Sequence, residues 1–252
     1  MAVITVILLI AAFFIIFPVL NPVICSFMKG GIEAAGKKIL NVSLLIDHIT
    51  ISLTKGTIVL TGLSLENPDG FNNPYALKVR RIKAVFSIKS FLSSKLNFKK
   101  IIIEFPEIFF EGLPGENNNL SIIKSGFRER VSASETGNSV SQNSEKKIKN
   151  IMIDHLMISG GKVFAAPSIL RGQLITISIP VIDIRDIGKN ADLTIAGVLD
   201  LVMDSLCSAV YSAIKENIKG MGIDVDRVKD TVREKAQKGL SLVRDYIRNR
   251  NM

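Results

Sequence analysis

Tryptophan is absent from the 252 residues, and tyrosine (3), histidine (2) and cysteine (2) are scarce. Cys25 and Cys207 give neither a disulfide framework nor a paired metal-binding spacing. The chain has no G-x-S-x-G elbow, glycine-rich phosphate loop or H-E-x-x-H motif. Gly160-Gly161-Lys162 is a tight turn and not a phosphate cradle. The two histidines sit in the pairs Asp47-His48 and Asp154-His155. Neighbouring strand residues face opposite ways, so neither pair can chelate through both side chains. A metal would need His48 and His155 brought together with a further carboxylate. No catalytic residue, cofactor or metal site is therefore expected, and an enzyme is not indicated.

Charge is also missing from residues 1–28, and from Ala2 to Leu20 only Thr5 and Pro18 interrupt an apolar run. Such a run is long enough to cross a bilayer core as one helix. A secretory signal has a basic start, a shorter apolar centre and a small-residue cleavage site. Here the start is Met-Ala-Val, and Ile24 before Cys25 is too bulky for lipoprotein processing. An uncleaved single-span anchor over residues 1–28 is expected. Lys29, Lys37 and Lys38 follow it and nothing basic precedes it, which by the positive-inside rule keeps the body cytoplasmic.

Acidic residues are absent between Gly70 and Ile103, where eight basic ones occur. Net charge is +9, which favours anionic partners, and beside a membrane these are lipid headgroups. Candidate headgroup-facing residues are Lys78, Arg80, Lys83, Lys99 and Lys100. Lysines also guard strand edges, the plainer reading of the same run. No groove-reading helix or aromatic interleaving accompanies the charge, so nucleic acid is not an expected partner.

What remains after the anchor can bury a core as one large or two small domains. Gly30 to Asn41 reads as a short amphipathic connector. Period-two alternation predicts strands over 48–54, 57–66, 76–88, 96–105, 107–111, 151–159, 162–166 and 173–184. Pro106, parting two of these, suits an edge or a bulge. Ile46-Asp-His-Ile-Thr-Ile-Ser52 echoes Ile153-Asp-His-Leu-Met-Ile-Ser159, suggesting a repeated strand–turn–strand unit. Residues 128–150, rich in Ser, Asn, Glu and Lys, read as a mobile loop. From Asp192 the period becomes helical, with Leu193, Ala196, Leu199 or Leu201, Leu206, Val210 and Ile214 on one face. Met221-Gly222 interrupts it, and Val225, Val228, Val232, Ala236, Leu240, Val243 and Ile247 form a second stripe, expected to dock on protein.

The expected fold is thus mainly β: an elongated, curved antiparallel or mixed sheet with an N-terminal transmembrane helix and C-terminal α-helices. The anchor covers 1–28, the β-rich body 29–190 and the helical region 191–252. Ile101, Ile103, Phe109, Ile175, Ile177 and Ile179 are candidates for an apolar sheet face. That face is either a core under the C-terminal helices or a groove holding acyl chains.

The order of these motifs resembles the AsmA-like family of bacterial envelope proteins. The resemblance rests on Lys55-Gly-Thr-Ile-Val-Leu-Thr-Gly-Leu-Ser-Leu-Glu-Asn-Pro-Asp-Gly-Phe71, the basic strand after it, and Ile101-Ile-Ile-Glu-Phe-Pro-Glu-Ile-Phe-Phe-Glu111. Ile153 to Val163 and Ile179 to Gly188 complete it, over roughly residues 1–190. It implies an inner-membrane anchor, a groove-like periplasmic body, phospholipid as ligand and a non-enzymatic role in outer-membrane biogenesis. That compartment opposes the positive-inside reading. About ten strands spaced ~4.8 Å apart reach only about 50 Å. A subunit of a larger assembly, with protein partners or as a homo-oligomer, is easier to defend than solo transport. The alternative is a scaffold whose C-terminal helices dock a partner.

Overall fold

The computed structural model describes residues 2–93, 95–113, 118–137, 150–167 and 174–222, with side chains excepted at 2–20, 91–92 and 134–137. The chain is mainly β. Helix α1 (Ala2–Leu40) leads into β1 (Leu44–Ser52), β2 (Thr57–Glu66) and β3 (Tyr75–Phe86). A short 3-10 helix (Ile88–Leu92) precedes β4 (Lys95–Gly112), and α2 (Asn119–Gly137) follows it. Then come β5 (Asn150–Ser159), β6 (Lys162–Pro167), β7 (Ile175–Ser178), β8 (Ile182–Ile187) and α3 (Ile195–Gly220). The eight strands form one mixed open sheet in the order β1-β2-β3-β4-β5-β8, with β6 paired to β4 and β7 to β6.

Helix α1 covers the outer edge of the sheet. Asn21 Nδ2 donates to Ile51 O at 3.2 Å, Lys29 Nζ to Asp47 O at 3.3 Å, and Ile46 N to Glu33 Oε1 at 2.9 Å. These side chains occur at multiples of four residues, one stripe of the helix, and meet edge-strand groups that would otherwise lack partners. Cys25, Met28 and Ile32 of the same region pack on Ile46, Ile49 and Ile51. Residues 30–41 are thus no separate connector. They continue α1 until Asn41 turns the chain at φ 61°.

A transverse row interrupts the sheet. Asp47, Gly62, Arg80 and Phe105 lie opposite one another on β1 to β4, yet none pairs while the residues on both sides keep register. Gly62 and Phe105 take positive φ, 65° and 53°. The alternation changes phase there: Ile101 and Ile103 face the core before the row, Ile108 and Phe110 after it. In β1, Ile46 and then Ile49 and Ile51 share one cluster in the same way. Only glycine fits position 62, because a Cβ there would overlap the Asp47 carboxylate.

Pro106 follows this row in a central strand. β5 pairs with β4 up to Glu104 and β6 from Glu107, so Phe105 and Pro106 face the Gly160-Gly161 junction. A residue without N–H is tolerated where no ladder bond is due. The two strands expected around Pro106 are therefore one, 18 residues long. The repeat expectation is also corrected. β1 and β2 form a hairpin, but after Ser159 the chain keeps its direction, and both β5 and β6 run parallel to β4. The strand expected over 173–184 divides into β7 and β8 at Ile179-Pro180-Val181.

The region expected as a loop from Arg128 is helical to Gly137, the remainder lying outside the described residues. Helix α2 buries Leu120, Ile123 and Phe127, three to four residues apart. It joins α3 through Arg128, which donates to Asp200 Oδ1 (2.7 Å) and Asp204 Oδ2 (2.9 Å), and through a Lys124–Asp204 pair. Among the residues whose side chains are described, which leaves out 2–20 of α1, α3 is the one helix long and apolar enough to cross a membrane. Its hydroxyl cap at Thr194 and its fully buried Val210, Ile214 and Ile218 tie it to the sheet as a core helix. Of the expected stripe, Val210 and Ile214 face the core and Leu199 is exposed. The second stripe, Val225 to Ile247, lies outside the described residues.

Gly62→Ala is expected to lower stability by about 1–3 kcal/mol, the usual cost of forcing a side chain into a left-handed position. Adding Asp47→Gly relieves the overlap but not the backbone strain, so thermal melting should recover in part only.

Candidate apolar sheet face and basic end

Below the interrupted row, register aligns apolar side chains strand by strand. Ile49, Leu60, Ile82, Ile103, Ile158 and Ile182 form one row across β1, β2, β3, β4, β5 and β8. Ile51, Ile58, Ala84, Ile101, Leu156 and Ile184 form the next. No polar side chain breaks either row. The opposite face at the same level carries Thr50, Val59, Lys83, Ile102, Met157 and Asp183.

Two helices flank the apolar rows. α1 packs on the β1–β2 side through Cys25, Met28 and Ile32. The start of α3 packs on the β4–β5 side, where Val198, Leu201 and Val202 meet Phe98, Ile101 and Ile103. Ile58 and Leu60 pack at the α1 cluster and Ile101 and Ile103 at the α3 cluster, all half-buried, as is Ile82 between them, while Ala84 and Phe86 are buried. Half-buried aliphatic side chains in unbroken rows offer contact to another apolar body, at about 25 cal/mol per Å² covered.

The sequence candidates separate on this geometry. Ile101 and Ile103 lie in the rows. Phe109 lies beyond the interruption, half-buried, its ring stacked on Phe164 at 5.3 Å. Ile175, Ile177 and Ile179 are corrected: they are buried in the core with Phe110, Val210 and Ile214 of the same cluster and are no open sheet face. The sequence missed Ile58, Leu60 and Ile82, although their alternation was visible. Their place in a common row depends on register.

The basic candidates are scattered over the outer face. Lys78 stands over the Tyr75 ring (4.0 Å) and Arg80 over the Phe105 ring (4.7 Å). Lys83 projects from the polar face, and Lys100 lies opposite Val85. Lys78 and Lys100 pair opposite Glu107 and Val85, about 23 Å apart along the strands. They make no single patch. Lys99 is the extra residue of a bulge, since Val85 pairs with Lys100 and Phe86 with Phe98.

The second Asp-His pair does not act as a pair. His155 shares a hydrogen bond with Asp183 (2.9 Å), not with its neighbour Asp154, and Arg185 Nε donates to the other Asp183 oxygen (3.2 Å). The His155 hydrogen bond, then that of Arg185, holds the Asp183 carboxyl below its ordinary value. Among the described residues no group of three His, Cys, Asp or Glu side chains could hold a metal. The chain matches no known protein-family model, and no curated protein matches it.

A carboxyl with a depressed folded-state pKa stabilises the fold above its unfolded value and loses that contribution as pH falls through the folded one. The melting temperatures of wild type and Asp183→Asn should therefore differ at neutral pH and converge below about pH 4. Scanning calorimetry across that range checks it.

Proposed function

We propose that this is a membrane-anchored, non-enzymatic envelope protein that binds phospholipid acyl chains on the apolar rows of its sheet and helps pass lipid between membranes. The observation that carries the proposal is the pair of unbroken apolar rows, half-buried at β2 to β4 beside α1. The helix that covers the sheet edge is continuous with the uncharged run of residues 2–20. Those 19 helical residues span about 28 Å, close to the hydrocarbon thickness of a bilayer. An acyl chain leaving the bilayer beside α1 would meet aliphatic side chains without crossing a charged row. The resemblance to AsmA-like proteins supports this use and, with it, a body on the periplasmic side of a bacterial inner membrane.

Six strands side by side cover only about 25 Å. That width suits one subunit of a larger assembly in outer-membrane biogenesis better than a bridge by itself. A scaffold role is the second reading, supported by the exchange of ion pairs between α2 and α3, which stiffens a helical face.

Neighbouring residues of one strand face opposite sides, and this gives the test. A photoreactive side chain at position 82 or 103 of the full chain in native membranes should form adducts with lipid. The same group at 83 or 102 should form few or none. Equal yields at all four positions, or none at 82 and 103, would contradict acyl-chain binding and favour the scaffold.

A further inference from the structure

We infer that Lys55, Lys89 and Lys99 form a binding site for the phosphate of an anionic phospholipid headgroup, at the end of the sheet where α1 leaves the body. The inference rests on the membrane placement proposed above and assigns to that placement a chemical selectivity.

Three separate elements bring the lysines to one cavity of about 400 Å³. Lys55 lies in the β1–β2 turn, Lys89 in the 3-10 helix, and Lys99 in the β4 bulge. Gly56, Phe86, Ser87 and Ile88 complete the lining, which has no acidic side chain. Among the described residues, none of the three lysines has an ion-pair partner. Three ammonium groups held around one concavity without a counter-charge repel one another, and an anion between them relieves that repulsion.

The framework is fixed before any ligand arrives. Phe86 N donates to Gly56 O at 2.8 Å, tying the turn to the end of β3. Gly56 adopts φ 57°, and a Cβ there would stand 2.6 Å from Phe86 O, so the turn sits as close as glycine permits. Ser90 Oγ donates to Ser87 O at 2.6 Å and Ser93 Oγ to Ser90 O at 2.9 Å, which holds the turn that carries Lys89.

Position identifies the source of the phosphate. Asn21, at the close of the apolar run, donates to Ile51 O, one residue before the end of β1. The β1–β2 turn is therefore level with the point where α1 would enter a bilayer. Ile88, 52% exposed on the cavity wall, is placed to enter the interfacial layer. A phosphate at that depth is a headgroup phosphate.

Native mass spectrometry of the full chain in neutral detergent micelles tests this with three probes: dilauroyl phosphatidylglycerol, dilauroyl phosphatidylcholine and inorganic phosphate. Wild type should bind the glycerol lipid at least about tenfold more tightly than the choline lipid, since each lysine beside an anionic surface is worth about fivefold. Lys55→Gln/Lys89→Gln/Lys99→Gln should bind the two lipids alike, and Lys162→Gln should keep the preference. If the triple variant melts early, each single variant should still lower the preference severalfold. Equal affinity in wild type, or a preference that survives the triple variant, overturns the site. Displacement of phosphatidylglycerol by millimolar inorganic phosphate overturns the lipid assignment in favour of a free-anion site. Loss of the preference with lipid adducts intact at position 82 marks the headgroup site alone; loss of the adducts with the preference intact marks failure of the acyl-chain reading.

Discussion

The edge of β1 is the constraint on which the rest depends. An open sheet of this kind ends in a strand with unpaired backbone groups, and such an edge invites pairing with other chains. Here the polar stripe Asn21, Lys29 and Glu33 of α1 meets that edge, while Cys25, Met28 and Ile32 cover the first strand's apolar side chains. One helix thereby does two things. It closes the sheet, and it fixes the orientation of the sheet relative to the apolar residues that precede Asn21. Remove the edge bonds, and both the cover and the orientation go with them.

The second constraint is the transverse row at Asp47, Gly62, Arg80 and Phe105. A sheet with strictly alternating strands presents one parity of residue to its core along its whole length. Switching parity in four adjacent strands at one level turns half-buried Ile101 and Ile103 toward the helix-flanked face below the row and buries Ile108 and Phe110 above it. The lower part is flanked by α1 and the start of α3. The upper part is packed by α2 and the rest of α3. The half-buried aliphatic rows belong to the lower part because only there do the helices stand apart, at the two sides of the sheet.

The period-two signal located β2 and β3 to within two residues and placed the start of β1 four residues late, and the change to helical period located α3. Helix α2 was hidden because Ser121, Ser125 and Gly126 masked the spacing of Leu120, Ile123 and Phe127. Isolated Gly62 inside an alternating run was a visible sign of a distortion. Phe105 was not, since nothing in its chemistry demands positive φ. The alternation of Ile101 and Ile103 was legible as an apolar sheet face, and that of Ile175, Ile177 and Ile179 read alike, yet the first two are half-buried and the last three are buried. The difference lies in where α3 folds back, a contact made over a long separation in sequence. The same holds for charge. The acid-free run was plain, but the meeting of Lys55 with Lys89 and Lys99 depends on a turn bonded to a distant strand end.

The central claim is that the sheet's β1–β2 end, not its opposite end, meets the bilayer. Spin labels at Lys55 and at Asp69, on opposite ends of β2, measure this directly through their collision rates with oxygen and with a water-soluble nickel complex in reconstituted vesicles. The account predicts interfacial depth for the label at Lys55 and full aqueous exposure for the label at Asp69. Equal aqueous exposure at both positions, or a deeper label at Asp69, would contradict it.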